Sequence, residues 1–355
     1  MIEVAVLSTI DVIYLDFKKA FDSVAHNRLL IKLHHAGFRG PLLNWIRSFL
    51  TRRRQRVLLR NGVSQWAAVK SGVPQGSILG PVFFLLFVND LPDSVLNSVK
   101  LFADDTKLYG HAENTTKCLN IQQDLNKLSA WANNWLLNFN SNKCTVIRIR
   151  ESVKFAYSLG GKLLKQVDSQ RDLGITITSD LKPSNHIHRI VKTANQKIGM
   201  IKRCFSNRSE ETVTLLYKAI IRPTLEYAAP SWSPWLKKDK DLLEKTQKRC
   251  LSLCPSQIVL PSLESRRKET DLCETFKYVT GKYNTKAEDL FDLNQNRQGL
   301  RGHRYKISKK HVKSDITKNS FTKRVINDWN ALPAEIVESE TVDQFKKKMR
   351  SLLKA

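Results

Sequence analysis

Apolar and polar positions recur with two different periods along this chain, and the period changes near residue 183. In the front half, DVIYLD (11–16) is a short β-rich run that ends in an acid. Residues 27–36 and 41–50 have helical spacing, the second opened by Pro41 in its first turn. Short strand-like pieces around Val57–Leu59 and Trp66–Val69 follow the cluster Arg52, Arg53, Arg54 and Arg56. The loop SGVPQGSILGP (71–81), punctuated by Gly and Pro, feeds an apolar helix that runs through Leu91. VKLFADDTKLY (99–109) predicts a hairpin, because Val99, Leu101 and Ala103 alternate with Lys100 and Phe102. A helix is expected from about Thr115 to Trp135, then a strand over Cys144–Ile149 and further strands centred on 155–164 and 173–177. Beyond Pro183 the texture is helical, over 186–204, 210–221 and 239–254. Near the end Phe321, Val325 and Trp329 share one helical face, and Thr341 with Gln344 reads as a capping box for a last amphipathic helix. The fold class expected from this order is α+β, with a sheet-containing front half and a helical back half.

Charge changes the picture most. The 355 residues carry a formal charge of +26 at an apolar fraction of 41%, with seven Trp and fifteen Phe. Such a chain folds, and its cationic excess suits a polyanion: nucleic acid first, an anionic membrane surface second. The charge thickens toward the end, at Arg266, Arg267 and Lys268, at RGHRYKISKKHVK (301–313) and at Lys346, Lys347 and Lys348. The apolar run Val82–Val88 is far too short to span a bilayer, so no membrane partner is expected. Glu3 and the absence of a basic leader argue against secretion. The six cysteines form no CxxC pair and no Cys/His ladder, as expected of a reduced intracellular protein without structural zinc. Cys250 and Cys254, one helical turn apart, read as core packing.

Candidate chemistry lies in the front half. Asp104 and Asp105 are adjacent acids at the tip of the expected hairpin, and Asp16 ends the apolar run Val12–Leu15. If those strands are neighbours, three carboxylates meet at one end of a sheet. Such a cluster suits two Mg²⁺ ions about 3.5–4 Å apart, which take oxygen ligands in preference to nitrogen or sulfur. Taken singly, FADD also reads as a solvated turn.

The order of motifs narrows the choice. YLDFKKAFDSV (14–24), SGVPQGSILGP, LFADDTKLY (101–109) and NSNKC (140–144) together resemble the palm motifs of reverse transcriptases, in particular those of jockey-like and related LINE non-LTR retrotransposons. RDLGI (171–175), LLYKAIIRPTLEYAAPSW (215–232) and LLEKTQKRCL (242–251) resemble that family's primer-grip and thumb region, and FTKRVINDWNALP with FKKKM (321–349) its carboxyl tail. The resemblance implies an unassigned leader over 1–10 and a right-hand polymerase palm over 11–180, an antiparallel sheet with helices. A helical thumb over 181–260 and a basic helical carboxyl-terminal region over 261–355 follow. It also implies RNA-directed DNA polymerase activity: extension of a DNA primer on an RNA template from deoxynucleoside triphosphates, with two Mg²⁺ ions or Mn²⁺ in their place. The nucleus is the expected site of target-primed synthesis and the cytoplasm that of particle assembly. The alternative is an inactive remnant that only binds nucleic acid. A group II intron-type maturase shares the palm, but the thumb and tail follow the retrotransposon pattern.

Carried over residue by residue, the resemblance makes Asp16 and Asp104 the principal metal ligands, Asp105 the third acid, and the Phe17 carbonyl a further ligand. Phe21 corresponds to the steric gate against a 2′-hydroxyl. Gln75 and Gly76 lie in the loop that cradles the incoming nucleotide, and Lys143 corresponds to the general acid for the pyrophosphate leaving group. Ser71, Asp22 and Asp90 are expected to be structural. Two departures stand out. The fingers and endonuclease that precede the palm in the family have no counterpart before Asp16, as expected of a truncated element copy. Ser184 and Asn185 stand where the first thumb helix usually carries a tryptophan.

Overall fold

The computed structural model describes residues 9–150, 153–294, 302–312 and 314–354, with backbone alone for the last two of these. Most of the expected leader, together with Arg301 and Lys313 of the basic cluster, lies outside the described residues. The chain divides into two compact units, one ending at Asp168 and the other beginning at Ser169.

The first unit is built on a sheet of five strands: β1 (Ile10–Leu15), β2 (Ser98–Phe102), β3 (Asp105–His111), β4 (Thr145–Ile149) and β5 (Lys165–Gln166). Their order is β5-β4-β1-β3-β2, and only the β5–β4 pair is parallel. The run read from the sequence as β-rich is therefore the central strand, antiparallel to β3 on one side and to β4 on the other. All six of its residues are buried, which is why it reads as a near-continuous apolar run. Ile13 and Leu15 of β1, Leu108 of β3 and Val146 of β4 join one core with helices α1 (His26–His35), α2 (Gly40–Leu50), α3 (Leu79–Val88) and α4 (Thr115–Trp135). α4 has the bounds expected from its periodicity; Asn114 accepts from the Lys117 amide at its start, and Leu136 in the left-handed region ends it. The apolar helix expected to reach Leu91 stops at Val88, and a single turn at Pro92–Ser94 follows.

Two polar devices are buried in this unit. Arg148 on β4 makes a two-pronged pair with Asp11 on β1, at 2.9 and 3.1 Å, and the Tyr157 hydroxyl donates to the same carboxylate at 2.8 Å. Burial and the neighbouring Asp11 carboxylate push the Tyr157 phenol far above its ordinary pKa. Lys32 of α1 donates to the Phe87 carbonyl and to Asp90, each at 2.5 Å, inside a ring of Phe87, Trp131 and Trp135. Desolvation pulls the Lys32 amine below its ordinary pKa. Asp90 also accepts from the Trp131 indole at 3.2 Å, so the acid expected to be structural is a structural ion-pair partner.

The second unit opens with a hairpin, β6 (Ser169–Asp172) and β7 (Ile175–Thr178). It packs against α5 (Ser184–Cys204), and the unit's border therefore falls ahead of residue 180. The Thr176 amide donates to His186 Nδ1 at 3.2 Å, and the Arg189 guanidinium donates to Thr176 Oγ1 at 2.9 Å. The Ser184 hydroxyl donates to Asp239 at 2.6 Å, which occupies the position of the missing tryptophan; Trp232 packs instead on His186, with ring centres 4.8 Å apart. α5, α6 (Glu210–Leu216) and α7 (Lys237–Leu251) enclose a core around Ile190, Ile198, Tyr217 and Leu243. The helix expected over 210–221 widens by one residue per turn at Tyr217–Ile221 and continues to Glu226. A separate core holds α8 (Leu263–Val279) and α9 (Val342–Lys354) together through Phe276, Trp329 and Phe345. Phe321, Val325 and Trp329 all pack on it, yet two short helices, Phe321–Arg324 and Ile326–Asn330, replace the single expected one. Thr341 Oγ1 accepts from the Gln344 amide at 3.2 Å, and Gln344 Oε1 reaches back to the Glu340 amide, closing the expected box one residue early. Cys250 and Cys254 are core residues, and burial pushes the Cys250 thiol up to about 11. Among the described residues no helix is long and apolar enough to cross a membrane.

Asp11 and Arg148 test the sheet. Asp11→Ala is expected to cost about 3–5 kcal/mol, because it strands a buried guanidinium, whereas the double change Asp11→Leu with Arg148→Met restores most of that loss. Urea unfolding followed by far-UV circular dichroism measures both; a single-variant loss below about 1 kcal/mol contradicts the assignment.

Candidate active site

β1 ends at Leu15, which pairs with Thr106 on β3, and continuing that register brings Asp16 level with Asp105. β2 and β3 close at the pair Phe102–Asp105, leaving Ala103 and Asp104 as a two-residue tip. Ala103 takes the left-handed conformation (φ 52°) that such a tight turn demands. The strand order thus carries all three expected acids to one end of the central strands. Asp104 and Asp105 are exposed, while Asp16 is half-buried.

The side chains do not close into a cluster: among the described residues no three Asp, Glu, His or Cys groups converge closely enough to hold a metal ion. Mutual repulsion of carboxylates accounts for that spread. Asp16 Oδ2 is shielded from water and has no hydrogen-bond partner, and Lys143 Nζ lies 3.6 Å from it. Lys143 is otherwise exposed, on the turn Asn140–Cys144.

That turn also holds the Asp16 backbone. The Asn140 amide donates to the Asp16 carbonyl at 2.7 Å, and the Asp16 amide points at Cys144 Sγ at 3.4 Å. Burial lifts the Cys144 thiol to about 11, which keeps it protonated and unreactive near neutral pH. Phe17 bridges to Phe139 and stacks on its ring at 4.5 Å. The bonds of that bridge come from the Lys18 amide and the Asp16 carbonyl, which directs the Phe17 carbonyl away from it. Cys144 and Asn140 were not singled out by the sequence; NSNKC drew attention to its lysine alone.

Phe21 follows within a helical turn, Ala20–Ser23, and its ring stacks on Phe84 at 4.9 Å, half in the core. The loop beginning at Ser71 is zipped to this segment. The Gly72 amide donates to the Val24 carbonyl at 2.8 Å, the Val73 amide to the Phe21 carbonyl at 2.9 Å, and the Ser71 hydroxyl to the Asp22 carbonyl at 2.8 Å. Arg53 donates to the Gly72 carbonyl at 2.6 Å. Gly72 (φ 89°) leaves no room for a side chain: a Cβ there would stand 2.8 Å from Asp22 Cα. Gly80 is as crowded, its Cβ position lying 2.4 Å from the Pro74 carbonyl oxygen. Gly76 (φ 77°) has open space around it, and the Gln75 amide is tied to Asp22 Oδ1 at 2.8 Å. The loop's shape therefore rests on Gly72 and Gly80, which the sequence did not separate from the other glycines, as well as on the expected Gly76.

With this geometry in hand, the chain was compared with known proteins. Residues 9–177 match the family model described as reverse transcriptase (RNA-dependent DNA polymerase). The chain is similar to the "RNA-directed DNA polymerase from mobile element jockey" of Drosophila melanogaster, 28% identical over 290 residues, 76% of this chain and 31% of that protein. It is also similar to the "Probable RNA-directed DNA polymerase from transposon BS" of the same fly, 27% identical over 67% of this chain and 28% of that protein. The chain thus spans under a third of the length of either relative. Among solved structures, a Candida albicans telomerase in complex with a fragment of telomeric RNA aligns over 68% of this chain and 47% of its own, at 13% identity and a TM-score of 0.42.

Gly72→Ala is expected to destabilise the first unit by at least about 2 kcal/mol, through its left-handed backbone and the close approach together. Gly76→Ala, strained but not crowded, costs about 1 kcal/mol. Equal losses in chemical denaturation would show that the crowding at Gly72 does not matter.

Proposed function

We propose, from the premise that residues 9–177 are a reverse transcriptase domain, that the chain extends a DNA primer on an RNA template as part of a non-LTR retrotransposon. The observation that carries this is the strand register, which sets Asp16 beside the Asp104–Asp105 tip at one end of β1 and β3. The donor set there is all oxygen, and Asp16 Oδ2 is shielded without a hydrogen-bond partner. Both features fit Mg²⁺, with Mn²⁺ as a substitute. Asp16, Asp104, Asp105 and the Phe17 carbonyl would hold two such ions. When bound they supply activation of the primer hydroxyl and charge neutralisation on the departing pyrophosphate.

The chain's own residues do the rest. Asp16 and Asp104 move together on rotation of their side chains alone, since the backbone beneath Asp16 is clasped by Asn140 and Cys144. Lys143, kept as an ammonium by the adjacent Asp16, stands ready to deliver a proton to the pyrophosphate leaving group. Phe21, stacked on Phe84, presents a fixed ring edge against a ribonucleotide 2′-hydroxyl. The zipped loop offers Gln75 and the open backbone at Gly76 to the nucleotide and its template base. The helical second unit, with its Lys and Arg excess, tracks the phosphates of the template–primer duplex without reading sequence. Reverse transcription at a nuclear target places the protein inside the cell.

Primer extension on an RNA template tests the reading. Asp104→Asn is expected to lower the rate by at least about a hundredfold while leaving hybrid binding within about twofold. Equal activity in the two proteins defeats the catalytic assignment, and no activity in either leaves nucleic-acid binding alone as the function. Phe21→Val is expected to raise incorporation of ribonucleotides relative to deoxyribonucleotides about tenfold or more. An unchanged ratio would return Phe21 to the core. Affinity for an RNA–DNA hybrid is expected to fall steeply with salt, as a phosphate-dominated contact must.

A further inference from the structure

A buried cation without a counter-ion sits in the second unit. Arg267 on α8 is 3% exposed, and neither Nη1 nor Nη2 has a hydrogen-bond partner. The acids whose fields reach it are committed elsewhere. Glu226 is gripped by Arg266 at 2.5 and 2.9 Å, and Glu264 by Lys240 at 2.6 Å. Asp271 is held by Arg324 at 2.8 and 2.9 Å, and Glu244 accepts the Glu264 amide at 3.0 Å. Burial pulls the Arg267 pKa below its ordinary value, yet a guanidinium keeps its proton at neutral pH.

Arg267 lines a cavity of about 200 Å³, walled in part by Trp235, Leu272 and Lys268. Trp235 is half-buried and Lys268 exposed. Asp328 stands exposed on the same wall and opposes an anion; Lys268, next to Arg267 in the chain, offsets it.

We infer that this cavity seats one phosphodiester of a single-stranded nucleic acid, with the adjoining base against Trp235. A guanidinium fork matches a phosphate with two parallel hydrogen bonds, and an indole face stacks any base. The strand must be single because duplex phosphates lie on a convex surface and do not enter a cavity whose arginine is this deeply buried. The inference rests on the nucleic-acid reading of the chain and adds a second contact, confined to the second unit, that discriminates strand from duplex.

The test uses the full chain and a short labelled single-stranded RNA beside an RNA–DNA hybrid of equal length, read by fluorescence anisotropy across a salt series. Arg267→Leu is expected to weaken single-strand binding about tenfold and to flatten its salt slope by about one charge, with hybrid affinity changed less than about twofold. Because the change removes an uncompensated buried charge, the melting temperature should hold or rise. Trp235→Ala is expected to weaken the same binding without altering the slope. Single-strand affinity unchanged in Arg267→Leu, or a fall in melting temperature with equal losses for strand and hybrid, overturns the site. Competition by inorganic phosphate as effective as that by oligonucleotide phosphate overturns the single-strand assignment. Wild-type protein that binds neither probe overturns the nucleic-acid reading along with it. Should Arg267→Leu fail to fold, ultraviolet crosslinking of the wild type decides: a crosslink at Trp235 supports the site, and its absence sinks it.

Discussion

The register of β1 is the constraint on which the rest of the first unit depends. With β3 on one side and β4 on the other, the strand has no free edge, and a slip by one residue would turn Ile13 and Leu15 away from the helices and Asp11 away from Arg148. The same register fixes where Asp16 emerges relative to the β2–β3 tip. Fold and candidate chemistry are thus a single commitment: the pairing that buries Ile13 and Leu15 also delivers the acid that follows them. The buried pair Asp11–Arg148, capped by Tyr157, penalises any other alignment, because a slipped strand leaves a charge buried alone.

The site is held mainly by backbone. Asp16 is clasped through its own amide and carbonyl, and the loop from Ser71 is sewn to Phe21–Val24 by main-chain bonds with Gly72 pressed against Asp22. The functional side chains project from this frame with room to move. Carboxylates that repel one another stay apart until a cation draws them in, so a rigid frame with mobile acids is the arrangement expected of a site that assembles around its ions.

What the sequence made legible was local. The helix Thr115–Trp135 has its periodicity and its Asn114 cap written in adjacent residues, and the hairpin around Ala103–Asp104 follows from alternation and turn chemistry. Asp90 was readable as structural, although its partner Lys32, far away in the chain, was not. Long-range partners were the ones that escaped: Arg148 for Asp11, Cys144 for the Asp16 amide, Asp22 for Gly72. Each joins residues whose separation carries no periodic signal, and sulfur as a backbone acceptor has no motif of its own. The widened turn at Tyr217–Ile221 and the break at Val325 escaped for a related reason, since tertiary packing there overrides a helical pattern that would otherwise run on.

The main-chain stitching of the loop has an evolutionary consequence. A frame built from amide and carbonyl groups is indifferent to most side chains, so substitutions at outward positions such as Ser77 or Ile78 leave the geometry standing. The positions that cannot drift are few and small: glycines where two backbones touch. A gene copied without close correction can therefore accumulate many changes across this segment and still encode the same scaffold, with its vulnerability concentrated in a handful of codons.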